Sequence, residues 1–487
     1  MRAERRSGSV RIRIFSACGL MLAMSSLHAM DFGTAVHKAQ AFDPTTQAAQ
    51  YAYQAGLEKG KQGTALYFPQ INATANYNQV HIDSISSLDL PPGFPASVLV
   101  GDSTGYLHGF GVTLVQPIYN AAVFAGAAEL KDQAKLADLQ KQGADANLIL
   151  RVAQAYFGVL MARDNLQLMR EQKAAIAQQL ASAQARFKAG KINITDVRDA
   201  EARYQGVVAE EIAAVNNLAV QQDQFAGIVG EQPQALARPS DAFSPSAPEP
   251  DDLSIWVAWG RKDNLNVQSA GIQLDVNNHE VDKYRLRSRP QLNLVASYQD
   301  MRQNGSLPIL VAPDHSKQTV VGVQLSVPLF AGGSYNSKYR EAVAESGEAG
   351  YQLQAAITNT DVQVKQQFLD VQIGTQQIDA LRQATIAAKS SLDATTLGLK
   401  VGKKTTLDVL NSQQQYFSSL QNLDAARYQY LLSRLNLAAL VNKLGEDDVK
   451  AINAYLTDVS AGPAGDAASG NTGTQDDSGL SSENVRQ

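Results

Sequence analysis

The sequence has a single cysteine, Cys18, close to its amino end. The rest of the chain therefore has neither disulfide nor thiol chemistry. Past Met30 no apolar run reaches the ~18 residues of a membrane-spanning helix. Any bilayer contact must come through strands or a peripheral face. Histidine is sparse: His37, His81, His108, His279 and His315 share no ligand spacing, so no metal site is expected. Gly109-x-Gly111 opens no helix and lies in an alternating run, which excludes a phosphate loop. No nucleophile–base arrangement can be picked out, and neither an enzyme nor a cofactor is expected. A net charge of −5 fits nucleic acid poorly.

The amino end reads as an export signal. Arg2, Arg5, Arg6, Arg11 and Arg13 precede a short apolar stretch, residues 14–24 (IFSACGLMLAM), and Leu27-His28-Ala29 forms a cleavage site. The mature chain then begins near Met30. Loss of residues 1–29 removes five arginines and Glu4, taking the net charge from −5 to about −9. Phe15-Ser16-Ala17 before Cys18 is a weak lipidation motif, but the apolar run continues to Met24, which suits an ordinary signal better.

The remainder repeats itself. Aligning Asp43 with Asn264 gives an offset of 221 that pairs Pro69-Gln70 with Pro290-Gln291 and Tyr77 with Tyr298. Leu114 to Tyr119 (LVQPIY) matches Leu325 to Phe330 (LSVPLF) at offset 211, and Gly190-Lys191 and Asp196-Val197 match Gly402-Lys403 and Asp408-Val409 at offset 212. Two diverged copies are expected, residues 30–238 and 252–457, joined by a Pro/Ser-rich linker or equatorial region, 239–251. Residues 458–487 are rich in Gly, Ser, Asp and Thr and read as a disordered tail.

Each copy has the same order of elements. A helix comes first, residues 31–63 and 252–287, then a strand, 71–77 (INATANY) and 292–298 (LNLVASY). In the first strand Ile71, Ala73, Ala75 and Tyr77 alternate with Asn72, Thr74 and Asn76, the period of a sheet with unlike faces. A loop follows, with Pro91-Pro92-Gly93 or Asn304-Gly305, then a second strand, 109–116 and 321–327, closed by a proline. Residues 120–187 and 334–399 contain no proline and favour helix; 68 residues make a rod of roughly 100 Å. After short turns at 189–193 and 401–404, helices return over 195–227 and 405–444.

Neither part is stable alone. A two-stranded hairpin is marginal and a helical hairpin this thin has little core. Association of several chains resolves both, closing strands into a barrel and helices into a tube. Apolar side chains would face lipid, Asn, Thr and Gly a wet lumen, and Tyr77, Tyr106, Phe110 and Tyr298 the interfaces. Four strands per chain cannot close a membrane barrel; three chains give twelve. A secreted or surface filament of helical hairpins is the alternative, and the strands weigh against it.

Residues 391–448, including LGLKVGKKTTLDVLNSQQQYF, and residues 186–197 (RFKAGKINITDV) resemble TolC-type outer-membrane channel proteins, the exit ducts of tripartite efflux and type I secretion systems. The resemblance extends to about Leu456. It implies a homotrimer in outer-membrane lipid: a twelve-stranded transmembrane β-barrel continuous with a twelve-helix periplasmic α-barrel. It also implies a periplasmic adaptor and an inner-membrane ABC or RND transporter that open the tip.

By that resemblance Asp408 falls on an entrance aspartate that trimer symmetry makes into a ring, and anionic rings favour cations. The second entrance aspartate falls on Asn411, so cation block is expected to be weaker. Asp196 and Lys404 occupy two positions of the links that hold the tip closed. The third, a tyrosine, is Leu399, which cannot donate, and lysine in place of arginine lacks the bidentate fork. Gly190, Lys191, Gly402 and Lys403 match the adaptor-contacting tips, with a lysine, Lys191, where an apolar residue is usual. On the residues alone, Asn193 or Thr405 is the N-cap of each returning helix, with Asp196 or Asp408 supporting the first turn.

Overall fold

The computed structural model describes residues 29–83, 103–240, 243–305, 307 and 314–457. The expected signal cleavage segment, Cys18, the Pro91-Pro92-Gly93 loop and the tail lie outside or almost wholly outside the described residues. Two short helices open the chain, α1 Phe32–Phe42 and α2 Pro44–Ala65, followed by strands β1 Gln70–Ile82 and β2 Ser103–Asn120. Then come the long hairpin α3 Ala121–Lys188 and α4 Ile194–Val229, and the two-residue strand β3 Arg238–Pro239. The order recurs with α5 Leu253–Asp263, α6 Leu265–Tyr284, a 3-10 turn Leu286–Ser288, β4 Gln291–Gly305, β5 His315–Ser326, α7 Ser334–Lys400 and α8 Thr406–Leu440. Helix α9 Glu446–Tyr455 and β6 Leu456–Thr457 finish it.

Neither expected opening helix is continuous. The first breaks at Asp43 and the second at Asn264, two residues that the sequence aligns with each other. Both have extended backbone and both cap the helix that follows. Asp43 accepts from the Thr46 N–H at 2.8 Å, and Asn264 accepts from those of Asn266 and Val267 at 2.9 and 3.2 Å. Pro44 at the first helical position explains the first break, because the residue before proline is pushed out of the helical region. No proline marks the second; there the Asn264 amide also donates to the Leu440 carbonyl at 2.8 Å.

The strands form one antiparallel sheet in the order β1-β2-β4-β5. All four exceed their expected lengths. Pro117 does not close β2: pairing continues to Asn120 across a register irregularity between Pro117 and Tyr119, where a bulge tolerates the missing N–H. Nor are Asn304 and Gly305 a loop, since they end β4 opposite Tyr106 and Gly105. Register sorts the side chains into two faces. One carries Ile71, Tyr77, Phe110, Val112, Tyr298, Val321, Val323 and Leu325; the other carries Asn72, Thr74, Asn76, Ser297, Gln299, Gln318 and Gln324.

Helices α3 and α7 span 68 and 67 residues, about 100 Å each. The main core sits about half-way along α3. Phe32, Tyr156, Phe157, Phe225, Tyr428 and Leu431 pack there, with Phe32 5.8 Å from Tyr156 and Phe157 5.9 Å from Tyr428, ring centre to ring centre. The Tyr156 hydroxyl lies within hydrogen-bond reach of the Met30 and Ala237 carbonyls, at 2.9 and 2.8 Å. Phe243, in the segment joining the halves, is buried against Tyr430 and Tyr455. Helix α9, unforeseen from sequence, docks on α1 through Asn453, which donates to Asp31 at 2.9 Å. Helix α2 meets α3 at backbone range: a Cβ on Gly56 would fall 2.1 Å from that of Ala137.

The break at Asp43 is also an ion-pair site. Arg151 on α3 donates through both Nη groups to the Asp43 carboxylate, at 3.1 and 2.7 Å, and that carboxylate side chain is only 3% exposed. The Arg151 guanidinium holds the carboxyl down at about 2, helped by the Thr46 donors. Asp43→Ala removes the cap and strands the arginine. We expect a loss of about 3 kcal/mol, read from denaturant unfolding of the purified protein. The wild-type contribution should hold down to the ordinary carboxylate range near pH 4 and vanish as the pH falls through about 2.

Candidate functional site

Each long hairpin reverses in the same way. At the first tip Gly190 adopts φ +70°, Lys191 N–H bonds to the Arg186 carbonyl at 2.9 Å, and Gly190 N–H to that of Phe187 at 2.9 Å. At the second, Gly402 has φ +76°, with Lys403 N–H on Gly398 at 2.8 Å and Gly402 N–H on Leu399 at 3.2 Å. These are paired C-terminal caps in which the left-handed residue satisfies the orphan carbonyls. Nothing lies within 4 Å of a Cβ built on either glycine, so backbone conformation and not crowding requires glycine. Lys191 and Lys403 are exposed beside them.

The returning helices begin differently. Thr405 and Asp408 form a full capping box: the Asp408 carboxylate accepts from Thr405 N–H at 2.9 Å, while Thr405 Oγ1 accepts from Asp408 N–H at 3.1 Å. The Thr405 backbone N–H, its hydroxyl and the nearby Lys404 charge hold Asp408 below the ordinary carboxylate range. Asn193 stands at the other N-cap position, but its side chain makes no capping bond. Half-buried Asp196 lies in that first turn without a reciprocal partner.

Of the residues expected to hold the tip, the structure brings together only some. Leu399 is buried in the last turn of α7. The Lys404 side chain lies over Gly398 and its N–H bonds to the Gly398 carbonyl at 3.2 Å. Among the described residues no hydrogen bond or ion pair joins Asp196 to Lys404. Instead Asn411 on α8 accepts from Arg203 Nη2 on α4 at 3.3 Å, joining the two hairpins. Arg203 carries no sequence signal, being one arginine on a long polar helix.

A second polar group lies between α3 and α8, on the tip side of the core. Tyr428 on α8 donates to Asp164 on α3 at 2.5 Å, and Asp424, one turn before Tyr428, takes an Arg427 Nη1–H at 3.3 Å. Asp164 and Asp424 both line a cavity of about 330 Å³ with Asn165, Asn217, Gln221 and Gln421. They also line a second cavity, of about 370 Å³, with Arg238 and Glu171. Burial and the charge of Asp164 push Asp424 up to about 6, against the pull of Arg427 and Arg238. Burial raises Asp164 too, against the pull of Tyr428, Arg238, Arg163 and Arg427. The pair is 260 positions apart in sequence, so no local pattern announces it.

The outer membrane efflux protein family matches residues 35–231 and 261–443. The chain belongs to that family. Outer membrane protein TolC of Vibrio cholerae is 30% identical over 445 residues, 91% of this chain and 98% of that protein. The alkaline protease secretion protein AprF of Pseudomonas aeruginosa is 26% identical over 437 residues, 89% of each. Among solved structures, the outer membrane protein VceC of Vibrio cholerae superposes with a TM-score of 0.71 at 16% identity, covering 84% of this chain and 96% of that one. This efflux-family member is thus an outer-membrane exit duct for efflux or type I secretion, with a long helical extension. The family is one of channels rather than enzymes.

Between α3 and α8 Asp424 binds its proton at about 6, whereas the unfolded chain does so near 3.8. Folding therefore takes up a proton between those values, and stability rises as the pH falls through about 6. Asp424→Asn removes the cost of the buried charge. Its melting temperature in detergent should exceed that of wild type by several degrees at pH 7.5, and the gap should shrink below pH 6 and close near pH 4. Parallel curves for the two proteins would contradict the assignment.

Proposed function

We propose that three copies of this chain close into one duct, in which each supplies two barrel-strand pairs and two helical hairpins from its two repeated halves. The observation that carries this reading is the sheet. In one chain the apolar face lies open to solvent, with Tyr77, Val321 and Leu325 at 69%, 72% and 65% exposure. Among the described residues each edge strand, β1 and β5, has a paired neighbour on one side only. Edge pairing between copies satisfies the open backbone groups, and lipid covers the apolar face. Three sheets of four strands make a twelve-stranded barrel, and four long helices from each chain make a twelve-helix tube.

At the far end of that tube the hairpin tips form a gate. Asp408, kept ionised by Thr405, contributes three carboxylates to a ring that favours cations. Asn411 contributes no charge there; its bond to Arg203 ties α8 to α4 and holds the tip closed in place of a link through Asp196, Leu399 and Lys404. A periplasmic adaptor meets Gly190, Lys191, Gly402 and Lys403, and an inner-membrane ABC or RND transporter supplies the energy. The similarity to TolC and to a protease secretion protein supports both partners.

Protein extracted from outer membranes should run as a heat-modifiable trimer, while recovery as a soluble, strand-free species would eliminate the duct. In planar bilayers Asp408→Ala should lower the cation-to-anion permeability ratio severalfold, and an unchanged ratio refutes the ring. Arg203→Ala should raise the resting conductance severalfold while leaving that ratio in place.

A further inference from the structure

The apolar face of the sheet ends in a cluster of charge. Residues paired across neighbouring strands share a face, so the register defines rows across the sheet. One row on the apolar face runs Ile71, Leu114, Ala296, Val321, and the next runs Ala73, Val112, Tyr298, Thr319. Toward the loop end, away from the helices, come Ala75, Phe110, Asp300, Lys317 and then Tyr77, His108, Arg302, His315. From Leu325 to Lys317 the strand advances about 27 Å, or about 20 Å along the membrane normal at the tilt of a barrel strand. That is close to the height of the apolar band in such barrels. Arg302 and Lys317 thus stand at its outer edge, among the aromatic rings of Tyr77, Tyr106, Phe110 and Tyr298.

Buried Asp300 sits between the basic groups. It faces His315 Nε2 at 2.9 Å, Arg302 Nε at 3.6 Å and Lys317 Nζ at 3.9 Å. One carboxylate against one guanidinium and one ammonium leaves a net positive charge before either nearby histidine is counted. The Arg302 contact is made through Nε, and the Nη fork has no hydrogen-bond or ion-pair partner among the described residues. Arg302 and Lys317 side chains are each 58% exposed, at the loop end of the face whose rows nearer the helices carry exposed Ile71, Val321, Val323 and Leu325. A planar fork beside an ammonium suits a phosphate, and its position above an apolar band suits a phosphate that carries acyl chains.

We propose that Arg302, Lys317 and His315 bind the phosphate of a phosphorylated lipid headgroup in the outer leaflet, with Asp300 as the residue that positions them. The acyl chains then lie along Tyr298, Phe110 and the aliphatic rows below. The same cluster recurs on each copy, so a trimer carries three such sites. This assignment rests on the sheet being a lipid-facing barrel wall.

The test is native mass spectrometry of the full-length detergent-purified protein, titrated with lipid A or with lipid A stripped of its phosphates. Wild type should retain the phosphorylated lipid at least tenfold more tightly than the stripped one. The double variant Arg302→Gln/Lys317→Gln should lose that preference, and Arg302→Lys/Lys317→Arg should keep most of it. The heat-modifiable trimer, run beside each titration, separates two failures. If the trimer is intact and the double variant keeps the preference, the headgroup site is wrong. If wild type itself forms no trimer, the barrel reading falls and the site falls with it.

Discussion

A helix about 100 Å long and one helix thick can be buried by its own chain at only a few places, and here the principal one is the aromatic core around Tyr156. Everything that fixes the protomer's shape converges there. The segment before α1 with α1 itself, the connection between halves and the final helix all reach this level, and the Tyr156 hydroxyl touches the carbonyls of Met30 and Ala237 from the first two of those segments. Above and below it the hairpins pack largely in pairs, with a smaller apolar cluster of Ile176, Val197, Val207 and Leu410 nearer the tips. A chain with one strong core and long thin extensions leaves much of its surface to be covered by other molecules. That distribution of burial suits the long helical extension of an outer-membrane duct.

Caps mark the ends of these rods, and they also set local electrostatics. Asp31, Asp43, Asn120, Asp252, Asn264 and Thr405 each accept a backbone N–H in the first turn of a helix. At the second tip the capping partner is Asp408, so the donors that satisfy the helix end also keep a carboxylate ionised. Structural and electrostatic readings of that residue are therefore compatible. At the first tip Asn193 and Asp196 do not form the reciprocal box, although their sequence matches the second tip closely.

The long helices were legible because nothing interrupts them: without proline, and with helix-favouring residues throughout, their ends at Lys188 and Lys400 fall within a residue of expectation. Strand positions were legible from alternation, but their lengths were not. Toward the loop ends polar residues such as Gln79 and Gln303 join both faces, and the two-residue period fades while backbone pairing continues. The break at Pro44 was available in the sequence and outweighed by the helical pattern around it. The break at Asn264 was not, since it depends on a carbonyl 176 positions away. The same holds for Arg203 with Asn411 and for Asp164 with Asp424, whose pairing exists only once two hairpins lie side by side.

Three aspartates show how one residue type is driven to different charge states in this chain. Asp43 is the most enclosed, yet two donors from Arg151 and two from Thr46 more than offset its burial and hold it near 2. Asp424 has one arginine contact and a neighbouring carboxylate, so burial prevails and it titrates near 6. Asp408 is open to water and needs only its cap to stay ionised. Depth alone does not order them; the number of donors aimed at each carboxylate does. Between pH 5 and 7 the charge on Asp408 is therefore constant, while that on Asp424, between α3 and α8, is not. The same side chain thus serves as a fixed charge at a helix start and as a titratable group between packed helices.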